Sequence, residues 1–535
     1  MLRCVLSISL IAFAFASTSS AQTALSADSA ARRPPASPAT DSMLARILVE
    51  ASERSQLNRI GQVLSDSIGP RLSGTPGLKA GNDWLLSQYK SWGIPARMER
   101  FGTWRGWRRG VSHLDLMSPR VRSLEATLLA WSPGTRGRTV QGGVVILPDA
   151  ADSAAFSRSL RDVKGQAVLL SAPYASCRPA DDLAAHARPA TLEAMQKQRT
   201  SAAAEWTARI GRTGYTSRTL PRALEQAGAI AILTNSWAGG WGSDRIFRGR
   251  AENIPTFDVG CEDYGLLFRL AENRQGPVVR LQADASWQGT VPMFNTVAEI
   301  KGSQLPNEYV LLSAHFDTWE GASGSTDNGT GTAVMMESMR ILRAVYPSPR
   351  RTIIVGHWSG EEQGLIGSRA FAEDHPEIVA GLQTMFNQDN GTGRITQISA
   401  QGLGSAGLHL QRWLAMMPAD LGADIRVSIP GAPSTGGSDH ASFICHGAPA
   451  FELGSVDWNY NNYTWHTNRD TFDKVVPDDL REAATVTAML VYLASEDLVR
   501  MSRERRTDLV DRRTGQPMTW PACSVPTRSW ESSTR

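Results

Sequence analysis

The sequence predicts an α/β protein whose mixed, largely parallel sheet is flanked by helices. Two short apolar runs, 309–314 and 352–356, show no clear alternation, which is typical of strands buried on both faces. Between them, apolar residues recur at helical spacing, and Pro347 follows the last of them. A third apolar run covers 382–386. A strand, a helix and a second strand in this order indicate a βαβ unit, which places parallel strands in one sheet.

Histidine and acidic residues follow the carboxyl ends of these three runs. In chain order they are His315, Asp317, Glu361, Glu362 and Asp389. In open α/β sheets, ligands bind beyond the carboxyl ends of the strands. Imidazoles and carboxylates gathered at such a place are typical of a hydrolytic metal site.

The first 42 residues predict an export signal and a linker. Residues 1–21 combine Arg3, an apolar core and small residues before Gln22, which is the pattern of a signal peptide. The core is shorter than the roughly 20 apolar residues that span a membrane, and no later stretch qualifies. We therefore expect a secreted or periplasmic protein without a stable membrane anchor after cleavage. Residues 22–42, rich in Ala, Ser, Pro and Asp, predict a disordered leader.

The hydrophobic pattern of the remaining chain changes twice, which predicts a main domain interrupted by an insertion. Residues 43–137, with helical patterning and a turn into a strand, form the first part of the main domain, and residues 287–505 form its second part. Between them, 138–286 consist of short apolar runs separated by Gly, Pro and Asp, which predicts a smaller inserted domain that touches or gates the cleft. The alternative is that this stretch is simply more of the main domain. Residues 506–535 predict a C-terminal tail.

Length, net charge and cysteine spacing limit the number of domains, the kinds of partner and the kinds of metal site that we expect. The 535 residues suffice for two or three domains, and a net charge of +3 spread over the chain gives no reason to expect a nucleic-acid partner. Cys4 would be removed with the signal peptide. The four other cysteines allow three pairings, among which the sequence does not choose, and their wide spacing argues against a cysteine metal site: Cys177, Cys261, Cys445 and Cys523.

The histidines and carboxylates after residue 300 contain one complete ligand set for two metal ions. Ions about 3.5 to 4 Å apart need one bridging carboxylate, and a terminal histidine and carboxylate on each ion. The set comprises His315, Asp327, Glu362, Asp389 and His466. Glu361 could take a proton from the attacking water, and Asp317 could orient the imidazole of His315. Spacing alone does not select these residues over their neighbours.

Six segments carry a family resemblance. In chain order they are HFDT, STDNGTGTA, WSGEEQGLIGSRAF, DNGTG, GGSDHASF and WHTNRDTFD. Together they resemble the metallopeptidases related to the two-zinc aminopeptidases (metallo family 28), and most closely the carboxypeptidase Q-type members. The likeness covers about 60–110 and 290–500, and residues 138–286 are similar to a protease-associated domain. The resemblance implies a zinc-exopeptidase fold, two zinc ions and a secreted exopeptidase acting on peptides.

The family pattern also implies a role for each site residue. By this pattern His315 and Asp389 hold one zinc ion, and Glu362 and His466 hold the other. The bridging ligand would be Asp327, the general base Glu361 and the residue that orients His315 would be Asp317. All seven positions match the pattern.

Several residues near the motifs invite simpler interpretations. We interpret His357 and His446 as structural, whereas His440 could equally line the substrate pocket or belong to an Asx-type turn. Trp465 departs from the family, because some two-zinc aminopeptidases carry a tyrosine there that stabilises the oxyanion. Tyr460 or Tyr463 could substitute for it.

Alternative functions remain to be weighed. A non-catalytic receptor or binding protein can share this architecture without the metal ligands, and the intact set favours catalysis. A single-zinc aminoacyl cyclase is disfavoured by a set for two metals. The GxGxxG at Gly402, Gly404 and Gly407 is a weak dinucleotide motif, because no full βαβ pair is predicted around it. GxSxG and HExxH are both absent. The sequence does not decide between amino-terminal, carboxyl-terminal and dipeptide specificity, and it leaves a homodimer open.

Overall fold

The computed structural model describes residues 42–511 and 513–533. The predicted signal peptide, 1–21, and residues 22–41 of the predicted leader lie outside the described residues. Ser42 is the first residue of a helix.

The described residues form fourteen strands that are connected through one sheet. The strands are β1 Ala96–Ser118, β2 Arg122–Leu124, β3 Ala126–Leu128, β4 Val140–Ile146, β5 Ala167–Leu169, β6 Ala231–Thr234, β7 Thr256–Val259, β8 Val278–Ile300, β9 Leu305–His315, β10 Arg351–Trp358, β11 Leu382–Asn387, β12 Ile395–Ser399, β13 Arg426–Ser428 and β14 Ala450–Ser455. Their order is β13-β12-β14-β11-β9-β10-β8-β4-β5-β6-β7-β3, with β1 paired to β8 and β2 paired to β1.

Four parallel strands, β14, β11, β9 and β10, form the middle of the main part of this sheet. Every residue of β10 and of β11 is buried, as the apolar runs within them predict. On one side of this group β8 pairs antiparallel with β10, and on the other side β12 pairs antiparallel with β14. The structure confirms the predicted fold class, a mixed and largely parallel sheet flanked by helices.

The described residues also form seventeen α-helices. They are α1 Ser42–Glu53, α2 Leu57–Gln62, α3 Pro76–Ser91, α4 Ser153–Ser159, α5 Ala180–His186, α6 Pro189–Arg212, α7 Leu220–Gln226, α8 Cys261–Glu272, α9 Thr330–Val345, α10 Ile366–Asp374, α11 Pro376–Gly381, α12 Ala406–Met416, α13 Ala419–Gly422, α14 Ala441–Ile444, α15 Tyr460–Tyr463, α16 Pro477–Glu496 and α17 Trp530–Ser533. Helices α9 and α16 pack on each other and on the strands around β9. None of the helices in the described ranges has the length and apolar content needed to cross a bilayer.

A long antiparallel ribbon, β1 with β8, runs from the main sheet into the region 140–259. Each strand has 23 residues, and the register extends from Ala96 opposite Ala298 to Ser118 opposite Val278. Only the beginning of β1 is predicted by the sequence, as a turn into a strand near 92–104. The remainder escaped prediction because most of its residues are half-buried or exposed, which leaves a weak apolar pattern.

Residues 140–259 build a smaller group of parallel strands, β4 to β7, which β3 closes in antiparallel orientation. This group has a small apolar core of its own, formed by Leu147, Phe156, Val163, Val168, Leu220, Leu224, Ala229, Ile232 and Ala251. Strand β4 pairs with β8, so hydrogen bonding continues from the ribbon into the group. The division into an inserted domain at 138–286 stays a prediction.

The GxGxxG segment, residues 402–407, follows β12 and ends in the first turn of α12. The expectation that no βαβ unit surrounds it is wrong, because β12 and β13 are parallel neighbours connected through α12. The turn is nonetheless covered by the C-terminal segment. The N–H of Gly404 donates to the carbonyl of Glu504 at 2.8 Å, and a Cβ on Gly402 would lie 2.8 Å from Leu509. A pyrophosphate needs free amides and close backbone approach, so this turn is not a dinucleotide site.

Two disulfides select one of the three pairings that the sequence left open. Cys177 bonds to Cys261, and Cys445 bonds to Cys523. The second bond ties the predicted tail to the segment that follows α14.

We expect Cys523→Ser to lower the free energy of unfolding by about 2–4 kcal/mol, because the bond closes a long loop in the unfolded chain. The two cysteines are 78 residues apart. Urea unfolding of the variant and of the wild type measures the difference. The double variant with Cys445→Ser is the control and should match the single one, whereas a wild-type midpoint for either would contradict the prediction.

Candidate metal centre

The parallel strands bring the predicted site residues together at one edge of the sheet. His315 is the last residue of β9, which lies between β10 and β11. Glu361 and Glu362 follow β10, and Asp389 follows β11 by two residues. Because parallel strands end at the same edge, three loops converge on His315.

One group of contacts surrounds the Nε2 atom of His315. It lies 3.0 Å from Oδ1 of Asp389 and 3.3 Å from Oδ1 of Asp327. Oε2 of Glu361 is 4.0 Å away. The imidazole is 1% exposed, so its neighbours are these carboxylates.

A second group surrounds the Nε2 atom of His466. It lies 2.9 Å from Oε2 of Glu362 and 3.2 Å from Oδ2 of Asp327. Asp327 therefore directs one oxygen to each histidine and connects the two groups. Within each of the sets His315, Glu361, Asp389 and Asp327, Glu362, His466, the donor atoms lie within 4.8 Å of one another.

The donor atoms fit a pair of metal ions such as zinc, whose protein ligands include imidazole nitrogen and carboxylate oxygen. Two oxygens, Oδ2 of Asp327 and Oε1 of Glu362, are buried and accept no hydrogen bond from the described residues. A buried carboxylate oxygen without a partner is costly, and a cation between the two groups would satisfy it. The site therefore has both the ligand types and the unmet need for positive charge that such ions require.

The pKa shifts of the site residues also favour positive charge between the two groups. Burial raises the pKa of Glu362 to about 7, and burial also raises the pKa of Glu361 well above its usual value. Burial opposes a charged imidazole, yet the carboxylates of Glu362 and Asp327 raise the pKa of His466 to about 10. Crowded carboxylates thus favour protons and positive charge at the centre of the site.

Asp317 contacts His315 through its backbone. Nδ1 of His315 is 2.9 Å from the carbonyl oxygen of Asp317, and since a carbonyl only accepts, Nδ1 carries the hydrogen and Nε2 is free to bind a metal. The carboxylate of Asp317 lies farther off, 3.9 Å from Nδ1. It accepts a hydrogen bond of 3.0 Å from the backbone N–H of Glu361. Asp317 therefore links the imidazole to the loop of Glu361.

Three residues that sequence reasoning missed hold the ligands in place. Asp470 accepts hydrogen bonds from the backbone N–H groups of Thr326 and Asp327, at 2.7 and 3.0 Å. The indole N–H of Trp319 donates to Oε2 of Glu362 at 2.7 Å. Asp470 lies in the WHTNRDTFD segment and Trp319 directly follows HFDT, but neither segment indicates which partners these residues have.

Arg71 is the third of these residues, and it is completely buried. Its guanidinium donates to the carbonyls of Phe316 and Gly324, at 2.9 and 3.1 Å. It thereby joins the segment after His315 to the loop that carries Asp327. The IGPRLSGTPG stretch around Arg71 has the composition of a turn and does not indicate this contact.

Residues 246–247 contact the loop of His466. The ring of His466 stacks on Trp465 at 4.0 Å between centroids, and Phe247 meets it edge-on at 5.3 Å. The backbone N–H of Ile246 donates to the carbonyl of His466 at 2.7 Å. The region that we predicted as an insertion thus packs against a candidate metal ligand.

The other histidines lie outside the ligand set. Burial lowers the pKa of His357 to about 3, and Nε2 of this neutral ring shares a 2.7 Å hydrogen bond with the hydroxyl of Tyr89. His440 lies 3.1 Å from Glu452, which in turn accepts the backbone N–H of Asp389. His446 is adjacent to the Cys445–Cys523 disulfide.

The two tyrosines proposed as substitutes for the family tyrosine differ in their surroundings. Burial, with further contributions from Asp327 and Asp389, raises the pKa of Tyr460 well above its usual value. The ring of Tyr463 lies instead against Gly240, where an added Cβ would be 2.6 Å from it. Tyr460 is therefore the one nearer to the candidate ligands.

Comparisons with known proteins show which peptidases this chain is similar to. Residues 295–491 match the model of Peptidase family M28. Carboxypeptidase Q of Rattus norvegicus is 24% identical and is matched over 82% of this chain and 84% of its own length, and the Homo sapiens protein is 24% identical over 81% and 84%. Two solved structures share the fold. They are the Peptidase M28 precursor from Shewanella amazonensis SB2B (22% identity, 86% of this chain and 98% of that chain, TM-score 0.63) and BSAP, a zinc aminopeptidase from Bacillus subtilis (19%, 84% and 98%, TM-score 0.53).

Proposed function

We propose that this chain, whose residues 295–491 belong to peptidase family M28, is a zinc-dependent exopeptidase that removes terminal residues from peptides. The observation that carries the proposal is the position of Asp327, which offers one carboxylate oxygen to each of two histidine-centred groups. Such an arrangement is what a pair of neighbouring metal ions requires. The carboxypeptidase Q relatives and the zinc aminopeptidase structure support a peptide substrate.

His315 and Asp389 would hold one zinc ion, Glu362 and His466 the other, and Asp327 would bind both. When bound, the ions would polarise the substrate carbonyl and acidify a water molecule. The indole N–H of Trp319 orients Glu362 through its hydrogen bond. The backbone carbonyl of Asp317 orients the imidazole of His315 in the same way.

Glu361 is our candidate for the general base. It follows β10 directly before the ligand Glu362, and its Oε2 lies 4.0 Å from Nε2 of His315. Burial raises its pKa, which makes it a stronger base than an exposed glutamate. Its carboxylate would accept a proton from the attacking water and deliver it to the amine of the leaving residue.

The secreted or periplasmic location is part of the proposal. Two disulfides support it, since such bonds persist in oxidising compartments. Whether the enzyme acts as a carboxypeptidase Q-like enzyme or as an aminopeptidase depends on the group that binds the free terminus of the substrate.

A panel of short peptides, each blocked at the amino end, at the carboxyl end or at both, tests the function. We expect the purified protein to contain about two zinc ions per chain. It should cleave peptides with one free terminus and lose this activity to a chelator. Doubly blocked peptides are the control and should remain intact. Zinc-loaded protein that cleaves none of the peptides would contradict the proposal and favour a non-catalytic binding protein.

We expect Trp319→Phe to weaken zinc binding at the site of Glu362 and His466 by about 10-fold or more, because the variant loses the hydrogen bond that orients Glu362. Competition with a chromogenic chelator measures the affinity. The matched control is Trp458→Phe, since Trp458 also donates its indole N–H to a carboxylate, that of Asp479, on the surface. Equal zinc affinities of the two variants would show that Trp319 does not support the site.

A further inference from the structure

Four arginines lie close enough for their charges to interact: Arg105, Arg218, Arg248 and Arg250. Their charges repel one another, and two of them lie over indole rings, Arg105 over Trp287 and Arg248 over Trp530. Burial, followed by repulsion from Arg250, Arg218 and Arg105, lowers the pKa of Arg248 to about 10. Like charges held together in a partly buried place favour a bound anion.

Two of these arginines, Arg248 and Arg250, line a cavity of about 150 Å³. Its other walls are largely apolar and come from β6 with Ile232, from α6 with Ile210 and from α7 with Leu220. An apolar cavity of about 150 Å³ holds a molecule of the size of benzene. The cavity therefore has room for an apolar body of about six carbon atoms beside a charged rim.

Thr256 supplies an independent sign of a ligand. The residue lines the same cavity, is 3% exposed, and its Oγ1 has no hydrogen-bond partner among the described residues. Its backbone is firmly held, because its N–H donates to Oγ of Ser132 at 2.8 Å and its carbonyl accepts from Leu129 at 3.0 Å. Buried hydroxyls normally have a partner, so a ligand oxygen in the cavity would satisfy this one.

We propose that this cavity binds a small apolar carboxylate. The guanidinium groups of Arg248 and Arg250 hold its acid group, the hydroxyl of Thr256 donates to one oxygen, and an aliphatic body of about six carbons packs on Ile232 and Leu220. This chemistry occurs at the carboxyl end of an apolar peptide or amino acid and in a short fatty acid. None of the residues that line the cavity is a candidate metal ligand, and the proposal does not depend on the peptidase activity.

Isothermal titration of the purified, zinc-loaded protein with N-acetyl-leucine and with hexanoate tests the proposal. We expect saturable binding of at least one acid, and binding of N-acetyl-leucinamide, which lacks the carboxylate, should be at least 10-fold weaker. Tighter binding of N-acetyl-leucine identifies a peptide-like ligand, and tighter binding of hexanoate identifies a fatty acid. No saturable binding of either acid would overturn the proposal.

Variants of the cavity arginines distinguish binding of the acid in the cavity from binding of the acid to the zinc ions. Arg250 is exposed, so Arg250→Gln should leave the fold intact and weaken binding at least 10-fold. Arg248→Gln, at a half-buried position, should weaken binding to the same extent. Arg120→Gln, at an exposed turn between β1 and β2, is the matched control and should bind as the wild type does. Binding that Arg250→Gln leaves unchanged would belong to the metal centre and overturn the proposal.

Thr256→Val provides a readout that a purely structural role would not give. Valine keeps the shape of threonine but lacks the hydroxyl, which makes no hydrogen bond within the described chain. We expect several-fold weaker binding of the acid together with an unchanged or higher melting temperature. Wild-type affinity in this variant would overturn the role of Thr256.

Discussion

We expect Glu361→Gln to lower kcat by a factor of about 10² to 10⁴ while the protein keeps its zinc, because general acid–base catalysis contributes about that much. Glutamine has the shape of glutamate but cannot accept the proton of the attacking water. Glu361 is not one of the five candidate ligands, so the zinc content should stay near that of the wild type. Burial raises the pKa of this carboxyl, and a neutral amide at the same place should therefore not destabilise the fold.

Steady-state kinetics on a cleaved peptide, together with metal analysis of the same preparations, measures both quantities. Glu53→Gln is the control, since Glu53 is exposed on α1 far along the chain from the site. A variant that retains kcat within twofold would rule out Glu361 as the base. A variant that loses both activity and zinc would instead identify Glu361 as a ligand.

The part of the site that could be predicted from the sequence is the part that the parallel strands determine. Strands β10 and β11 are buried throughout and β9 is buried over its last six residues, so each contains an apolar run that ends near the sheet edge. The residues just beyond those ends, such as His315 and Asp389, must meet because the strands are neighbours and parallel. Their grouping therefore followed from local pattern and general geometry, and the family motifs then distinguished them from nearby residues.

The supporting contacts could not be predicted in this way. Arg71 is completely buried, although a buried arginine is rare and its sequence surroundings resemble an ordinary turn. Two of its partners, the backbone carbonyls of Phe316 and Gly324, lie 245 and 253 residues away along the chain. No pattern of side chains in the sequence indicates such a pairing. The parallel pairing of β12 with β13 was missed for a related reason, since β13 has three residues and none of them is fully buried.

Our second large prediction concerns the residue that joins the two groups. We expect Asp327→Ala to reduce zinc at both positions, toward none per chain under conditions that saturate the wild type, because each group loses one of its oxygens. Peptidase activity should disappear with the metal. The loop itself should keep its place, since Asp470 holds it through the backbone N–H of residue 327, which alanine retains.

Asp389→Ala provides the comparison that makes this result informative. Asp389 contacts only His315 among the two histidines, so its loss should empty one position and leave about one zinc ion per chain. Metal analysis of the two variants, dialysed side by side with the surface variant Asp83→Asn, distinguishes a shared ligand from a terminal one. If Asp327→Ala retained as much zinc as Asp389→Ala, the carboxylate of Asp327 would not be shared between two ions, and the two-metal arrangement would have to be replaced by one in which the histidine-centred groups bind independently.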